Sequence, residues 1–571
     1  MTTRIVSRPS TVTKISLSIM LLLIISEAFA ELDFVDFQGA SEDQAVIDGL
    51  IRRHFTINAP KRVIYVAPFI EGSKQDGSGQ SRSDPRRNLL DALENALPGD
   101  HYYLAPGVYR IDRERDNFGR DSSQFTLTNS GTLEDKIVVT TDPNFWDPEN
   151  GGIAQIDFGF DNSKPNTDRR GIALYSNHWV FENLEIRNVN DWGFYISGHY
   201  NLIRNSNIHH CNHPASNNTG LIVIGGSGEL NNLVMGNHIH HSGRMDAGGT
   251  LLPPSQQSGG NGGCTYSVTR QHYDTYANLV EAEIDLNVNP SYPWKEMTWN
   301  ELSQYITSPD NEAYFYNNHL DHCFPYGLAT KNEAEGKFHF LSNIVHASSG
   351  GIKITLSHTE VRNNIVYNDD GVMEEAIRLA NTPNGIKIVP QVMNAVDVNI
   401  TNNTFAGSDI GILHRAGWSN VISNNLFIDI PKPHVIASNY YAWGFAFGEY
   451  LYGDLSAEHP YFDDMPQALK DQVGSYKQLK AQNNIYTVTP VLTTEYSNET
   501  DRIAYLPNNK ISDDYTVLTS EAIKAHLINP SANDFRTDMK NPGQLQNVGS
   551  GILLRSTTSL KPLAPTQFSV N

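Results

Sequence analysis

The chain has 571 residues, with 42 lysines and arginines against 63 aspartates and glutamates, a formal charge of −21. That balance argues against nucleic acid as a partner, since a polyanion needs a basic surface. Three cysteines, Cys211, Cys264 and Cys323, are too few for a disulfide scaffold and leave one unpaired, so stability must come from a packed core.

In chain order, the first thirty residues read as a secretory signal. Arg4, Arg8 and Lys14 precede the apolar run ISLSIMLLLII (15–25), and Ala28-Phe29-Ala30 supplies a small-x-small cleavage site. Cleavage after Ala30 and a secreted or periplasmic location are expected. The run is short for a membrane span, and no later run is long enough. Residues 31–61 form an N-terminal extension.

A repeat then runs through the chain. Asparagine pairs stand just before apolar β-formers: Asn363-Asn364-Ile365-Val366, Asn402-Asn403-Thr404-Phe405, Asn424-Asn425-Leu426-Phe427 and Asn483-Asn484-Ile485-Tyr486. Looser copies begin at Asn207, Asn237, Asn317 and Asn343. A second marker, a small residue opening a short strand, precedes most of them: GFYIS from Gly193, GLIVI from Gly220, GLATK from Gly327, GIKIT from Gly351, AIRLA from Ala376 and GILHR from Gly411. A winding of roughly 20–25 residues with short strands and tight turns predicts a parallel β-helix, an all-β solenoid. Equivalent asparagines should stack into a hydrogen-bonded ladder, because buried amides need partners. Residues 244–316 and 431–480 lack the asparagine marker and read as insertions off the coil.

The flanks resemble those of secreted right-handed β-helix carbohydrate enzymes, the pectate-lyase-like group. IYVAP (64–68) and ALPGDHYYLAPGVYR (96–110) resemble its opening winding, and SANDFRTDMKNPGQLQNVGSGI (531–552) its closing ones. The resemblance implies a coil over residues 62–552, a capping helix within RRNLLDALENAL (86–97) and a C-terminal tail at 553–571.

Aligning the six strands on their small residue puts Phe194, Leu221, Leu328, Ile352, Ile377 and Ile412 inward. It puts Tyr195, Ile222, Ala329, Lys353, Arg378 and Leu413 on the outer face, two residues before Ser197, Ile224, Lys331, Thr355, Ala380 and Arg415 on the same face. Lys331, Lys353, Arg378 and Arg415 therefore form an expected cationic stripe on an acidic protein. A row of cations suits an anionic polymer.

The resemblance specifies the reaction less than the fold, but secreted β-helices of this kind commonly act on uronate polysaccharides, and their usual reaction is β-elimination. The proton on C5 becomes removable once the adjacent carboxylate is neutralised, and a base must take it. Lysine serves as base when neighbouring cations lower its pKa. Lys331 is the candidate base, Lys353 and Arg378 the candidate neutralisers, and Arg415, Tyr195, His358 and His414 candidate sugar contacts. His272 and Tyr273, in the 244–316 segment, are candidate contacts from a loop folded over the groove.

The stretch GLATKNEAEGKFHFLSNIVHASSGGIKITLSH also resembles the central windings of family six polysaccharide lyases, the alginate lyase and chondroitinase B group. Lys331 matches that family's lysine base and His358 the histidine of its Arg-His pair, but Ser357 stands where the arginine belongs. The resemblance makes calcium the candidate cofactor, with Glu333 and Glu335 as candidate ligands. No organic cofactor is expected, and a monomer is. A hydrolase would instead need two groove carboxylates, for which Asp369-Asp370 and Glu374-Glu375 are available. A uronate C5-epimerase begins with the same proton abstraction as the lyase, and a polysaccharide-binding surface protein is the non-enzymatic alternative. In HHCNH (209–213), His209, Cys211 and His213 suggest a metal set, but His240-His241 and His322-Cys323 recur at the same place. A repeated turn residue is the preferred reading.

Overall fold

The computed structural model describes residues 37–268, 312–379, 395–438, 480–496 and 510–554, apart from short stretches within them. The expected signal at 1–30 lies outside the described residues. No helix among them is long and apolar enough to cross a membrane.

Strands of two to seven residues follow one another around a coil and fall into three long parallel sheets of eleven, twelve and thirteen strands. Successive windings pair in each sheet, so the fold is the right-handed parallel β-helix expected from the repeat. We call the eleven-stranded sheet the groove sheet, the twelve-stranded one the histidine sheet and the thirteen-stranded one the docking sheet. Their inward side chains merge into one apolar column, from Ile64 and Leu89 through Phe194, Ile239, Ile352 and Phe405 to Tyr486.

The asparagine pairs divide two tasks. The first of each pair takes the left-handed conformation that asparagine tolerates: Asn317, Asn363, Asn402, Asn424 and Asn483 have φ between 54 and 59°. The second forms the ladder. Asn237, Asn318, Asn343, Asn364, Asn403 and Asn425 each donate an amide N–H to the side-chain oxygen of the next, ending at Asn484, at 3.0–3.1 Å. Each of these oxygens also accepts the backbone N–H of the preceding asparagine, as Asn403 Oδ1 does from Asn364 at 2.8 Å. The ladder turns the chain from the docking sheet into the histidine sheet with its amides paired.

The small residues mark the next corner. A Cβ on Gly351 would lie 2.3 Å from the Ala376 carbonyl oxygen and 2.4 Å from Val366 Cγ1. At this winding a side chain would clash where the chain bends from the histidine sheet into the groove sheet.

The segments expected to leave the coil contribute strands to it. Gly263–Val268 joins the groove sheet and Glu312–Tyr316 the docking sheet, both within 244–316; Lys432–Ser438 and Lys480–Gln482 do the same within 431–480. The two groove-sheet strands escaped notice because Cys264 and Pro433 replace the small marker. Cys264 and Cys323 form a disulfide, and Cys211 is free and buried.

The expected capping helix is Leu89–Glu94, with Asn88 as its N-cap and Glu114 accepting the Leu90 N–H at 2.8 Å. A second helix, Ser41–Leu50, lies in the N-terminal extension. Its Ile47 and Leu50 pack on Val138, Val180, Leu202 and Leu233 of the docking sheet. Buried Asp43 on this helix accepts hydrogen bonds from Ser342, Arg362 and Asn363. Phe37–Gln38 pairs antiparallel with Leu553–Leu554, so the expected C-terminal tail begins as a strand.

Candidate functional site

The outer face of the groove sheet carries two rows. One runs Tyr195, Val223, Tyr266, Ala329, Lys353, Arg378, Leu413 and Val435, each paired with the next across neighbouring windings. The other runs Trp192, Gly220, Gly263, Tyr326, Gly350, Glu375 and Ile410. Two consecutive inward residues separate the rows, because the strand opens on the corner bend.

One expectation needs correcting. Val223, not Ile222, pairs with Tyr195, and Ile222 pairs with Phe194 in the core. Gly220 stands in the row of Trp192, and its inward successor is Leu221, so alignment on the small residue put that strand one residue out of register.

Lys353 and Arg378 are direct cross-strand partners. Both stand over Tyr326, with Lys353 Nζ and Arg378 Cζ each 5.6 Å from the ring centre. Tyr326 lies across the bare face of Gly350, where a Cβ would come within 2.4 Å of the ring; Tyr266 lies across Gly220 in the same way. The Tyr326 hydroxyl donates to Glu375 Oε1 at 3.0 Å, and Arg378 Nη2 reaches the same oxygen at 2.6 Å. Lys353 is 1% exposed, whereas the Arg378 side chain keeps 17%. Burial works against the Arg378 charge, but the Tyr326 and Glu375 fields outweigh it and push the guanidinium pKa up. Its buried Nε has no hydrogen-bond partner among the described residues.

The aromatic floor continues toward the N-terminus. Trp192, Tyr266 and Tyr326 are buried together with half-buried Tyr195 packed against them. Tyr195 lies 5.6 Å from Trp192 and 5.9 Å from the exposed Tyr175, centre to centre. Arg170 stands over Trp192 at 5.6 Å and pairs with Asp191 at 2.6 Å. Four strand steps separate Tyr195 from Lys353, about 19 Å at the usual spacing.

Of the expected site residues, Lys353, Arg378 and Tyr195 share this face. His414 does not: it pairs with Leu379 in the inward row of Ile354 and Leu379. Burial pushes its pKa down to about 3, which suits a neutral packing residue rather than a sugar contact. Lys331, Arg415, His358, His272, Tyr273, Glu333 and Glu335 lie outside the described residues. The sequence reading missed Trp192, Tyr266 and Tyr326, and named Glu375 only as a rival carboxylate. Trp192, Tyr326 and Glu375 immediately precede a small marker residue, the position that the corner turns outward.

Two of the rival carboxylates, Glu375 and Asp369, are engaged by protein donors. Glu375 is held by Tyr326 and Arg378, and Asp369 accepts His346 Nδ1 at 2.8 Å on the histidine sheet. On that sheet's outer face His210, His241 and His322 stack at 4.6–4.8 Å with φ of 48–58°, the repeated turn residue expected. Cys211 points into the core, away from His209, so the two do not converge on an ion.

Among the described residues, three groups on this face could hold a metal: His238-His240-Asp321, His241-Asp321-His322 and His319-Asp321-His346. Calcium prefers an all-oxygen cage, which these imidazole sets do not offer. The described groove carboxylate Glu375 is already committed to Arg378 and Tyr326.

The stacked coil is a parallel β-helix whose groove face carries Lys353 and Arg378 beside an aromatic floor. Residues 64–249 match the family model described as "Pel9A-like, right handed beta helix region". Pectate lyase L of Dickeya chrysanthemi is 28% identical over 210 residues, which is 36% of this chain and 44% of that protein, so the match spans under half the relative's length. Among solved structures, pectate lyase Pel9A is 15% identical with a TM-score of 0.31, covering 85% of this chain and 88% of its own. A mannuronic acid specific family 6 lyase from human gut microbiota is 12% identical with a TM-score of 0.36, covering 83% and 90%.

Proposed function

We propose that the protein is a secreted polysaccharide lyase that cleaves a uronate-containing chain by β-elimination on the groove sheet. The observation that carries this reading is the Lys353–Arg378 pair on the Tyr326 floor, with the unpartnered Arg378 Nε beside it. The sequence match to a pectate lyase supports the same reaction class.

In this reading a uronate carboxylate lies against Arg378, whose Nε–H donates to it. Lys353 adds positive charge from the neighbouring strand. Neutralising the carboxylate stabilises the enediolate that forms when the C5 proton leaves. The base is Lys331, which follows Thr330 at the end of the strand carrying Ala329, the cross-strand partner of Lys353. As the C4–O4 bond breaks, the electron pair left by the C5 proton forms the C4=C5 double bond and the departing oxygen takes a proton from water. Glu375 fixes the guanidinium through Nη2, which leaves Nε for the substrate carboxylate. Trp192 and Tyr195 stack against sugar rings further along. No step passes through calcium.

The test is a panel of alginate, pectate, glycosaminoglycans and neutral glycans, followed by the ultraviolet absorbance of an unsaturated uronate. Rising absorbance with an anionic polymer supports elimination. New reducing ends without it mean hydrolysis, and binding without either product means a binding protein.

A further inference from the structure

We propose that the outer face of the histidine sheet binds a zinc-type divalent ion between His319, His346 and Asp321, as a clamp between windings and away from the groove sheet. This does not rest on the lyase reading.

His319 and His346 belong to adjacent strands, His319–Cys323 and Ile344–His346. Their Nε2 atoms face each other at 2.8 Å. Only one proton fits between two such nitrogens, so at least one lone pair points into the gap. An Asp321 oxygen completes a set whose donor atoms all lie within 4.8 Å of one another. A tetrahedral zinc ion, with bonds of about 2.0–2.1 Å, holds two nitrogens roughly 3.3 Å apart. The rings need part by only about half an ångström, and the shared proton leaves as the ion enters.

The surroundings are arranged as a metal site requires. His346 Nδ1 donates to Asp369 Oδ2 at 2.8 Å, while Asp369 Oδ1 accepts the Ala347 N–H at 3.1 Å. This carboxylate–histidine pair fixes the tautomer that leaves Nε2 free to coordinate. Asp321 is anchored by His238 Nε2 and His322 Nδ1, both at 2.5 Å, one on each oxygen. His238, His319, His346 and Tyr367 stack at 4.7–5.0 Å, which holds the ring planes before any ion arrives.

The two neighbouring groups are poorer. His240 already uses both nitrogens, Nδ1 toward His241 at 2.6 Å and Nε2 toward Asn207 at 3.0 Å. His322 spends Nδ1 on Asp321 itself. Two imidazoles and one carboxylate suit zinc and disfavour calcium or magnesium.

The full-length chain, without a histidine tag, is stripped with chelator, dialysed and titrated calorimetrically with zinc, calcium or magnesium. One zinc per chain is expected, with calcium and magnesium much weaker. His346→Ala should abolish that event, and Asp369→Asn should weaken it about 10- to 100-fold. His210→Asn, on the same face but outside the set, should leave it unchanged. Zinc should also raise the melting temperature of the native chain and not that of His346→Ala. Should His346→Ala fail to fold, Asp369→Asn keeps both rings and carries the test. No zinc uptake overturns the proposal, and so does uptake indifferent to both substitutions or calcium binding as tightly as zinc.

Discussion

Lys353 and Arg378, 25 residues apart in sequence, are face-to-face partners on adjacent strands and share the ring of Tyr326 beneath them. The buried Arg378 charge persists here because Tyr326 and Glu375 supply compensating negative potential. If Arg378 neutralises the substrate carboxylate, Arg378→Ala should lower kcat/KM on the preferred polymer by at least about 100-fold. Removing Arg378 alone leaves Glu375 buried without its cation, so the double variant Arg378→Ala/Glu375→Gln is the fair comparison. It should melt near the native temperature and remain as inactive as the single variant.

The aromatic floor should act on binding rather than chemistry. Trp192→Ala is expected to raise KM about fivefold, roughly 1 kcal/mol of lost stacking, with kcat nearly unchanged. Steady-state rates on polymer and on short oligosaccharides would check this, because a short substrate bound only near Arg378 should not feel the change.

The asparagine ladder predicts stability. Asn364 accepts from both the backbone and side chain of Asn343 and donates to Asn403 and Phe340. Asn364→Ala leaves these buried groups unpaired and should cost about 2–3 kcal/mol in denaturant unfolding. Asn402 has φ 56° and serves by its conformation. Asn402→Gly should be nearly neutral, whereas Asn402→Val should cost about 1–2 kcal/mol.

Glu114 gives a pH dependence. Burial pushes its pKa up to about 8, despite the Leu90 N–H that favours the anion. The folded state therefore holds a proton that the unfolded chain releases above its ordinary carboxyl value. Stability from this group is present at acid pH and is lost as pH rises toward 8, by at most about 1.4 kcal/mol per pH unit. Glu114→Gln should flatten that slope and stabilise the protein at pH 8, as read from urea midpoints across the range.

What the sequence made legible was local chemistry repeated at a period. Asn363-Asn364 announces both a left-handed residue and a buried amide, and Gly351 announces a corner too tight for a side chain. The register of GLIVI was not legible, because Gly220 is small for another reason: the Tyr266 ring occupies the space of its side chain. The outward direction of Trp192, Tyr326 and Glu375 was not legible either, since it follows from two inward neighbours in succession, which strict alternation does not anticipate. His319, His346 and Asp321 are spread over 28 positions and meet only once the windings are stacked.

The helix Ser41–Leu50 lies near the start of the chain, yet its Asp43 is bound by Arg362, 319 residues later. A ribosome therefore releases this helix long before its seat exists. Windings can nucleate and stack as they emerge, but the brace across the docking sheet closes only after the middle of the coil has been made, and the pairing of Phe37–Gln38 with Leu553–Leu554 only after nearly all of it. Vectorial synthesis thus leaves an amphipathic segment waiting for its surface, and truncations that end before Arg362 should expose it to proteases while the early windings resist.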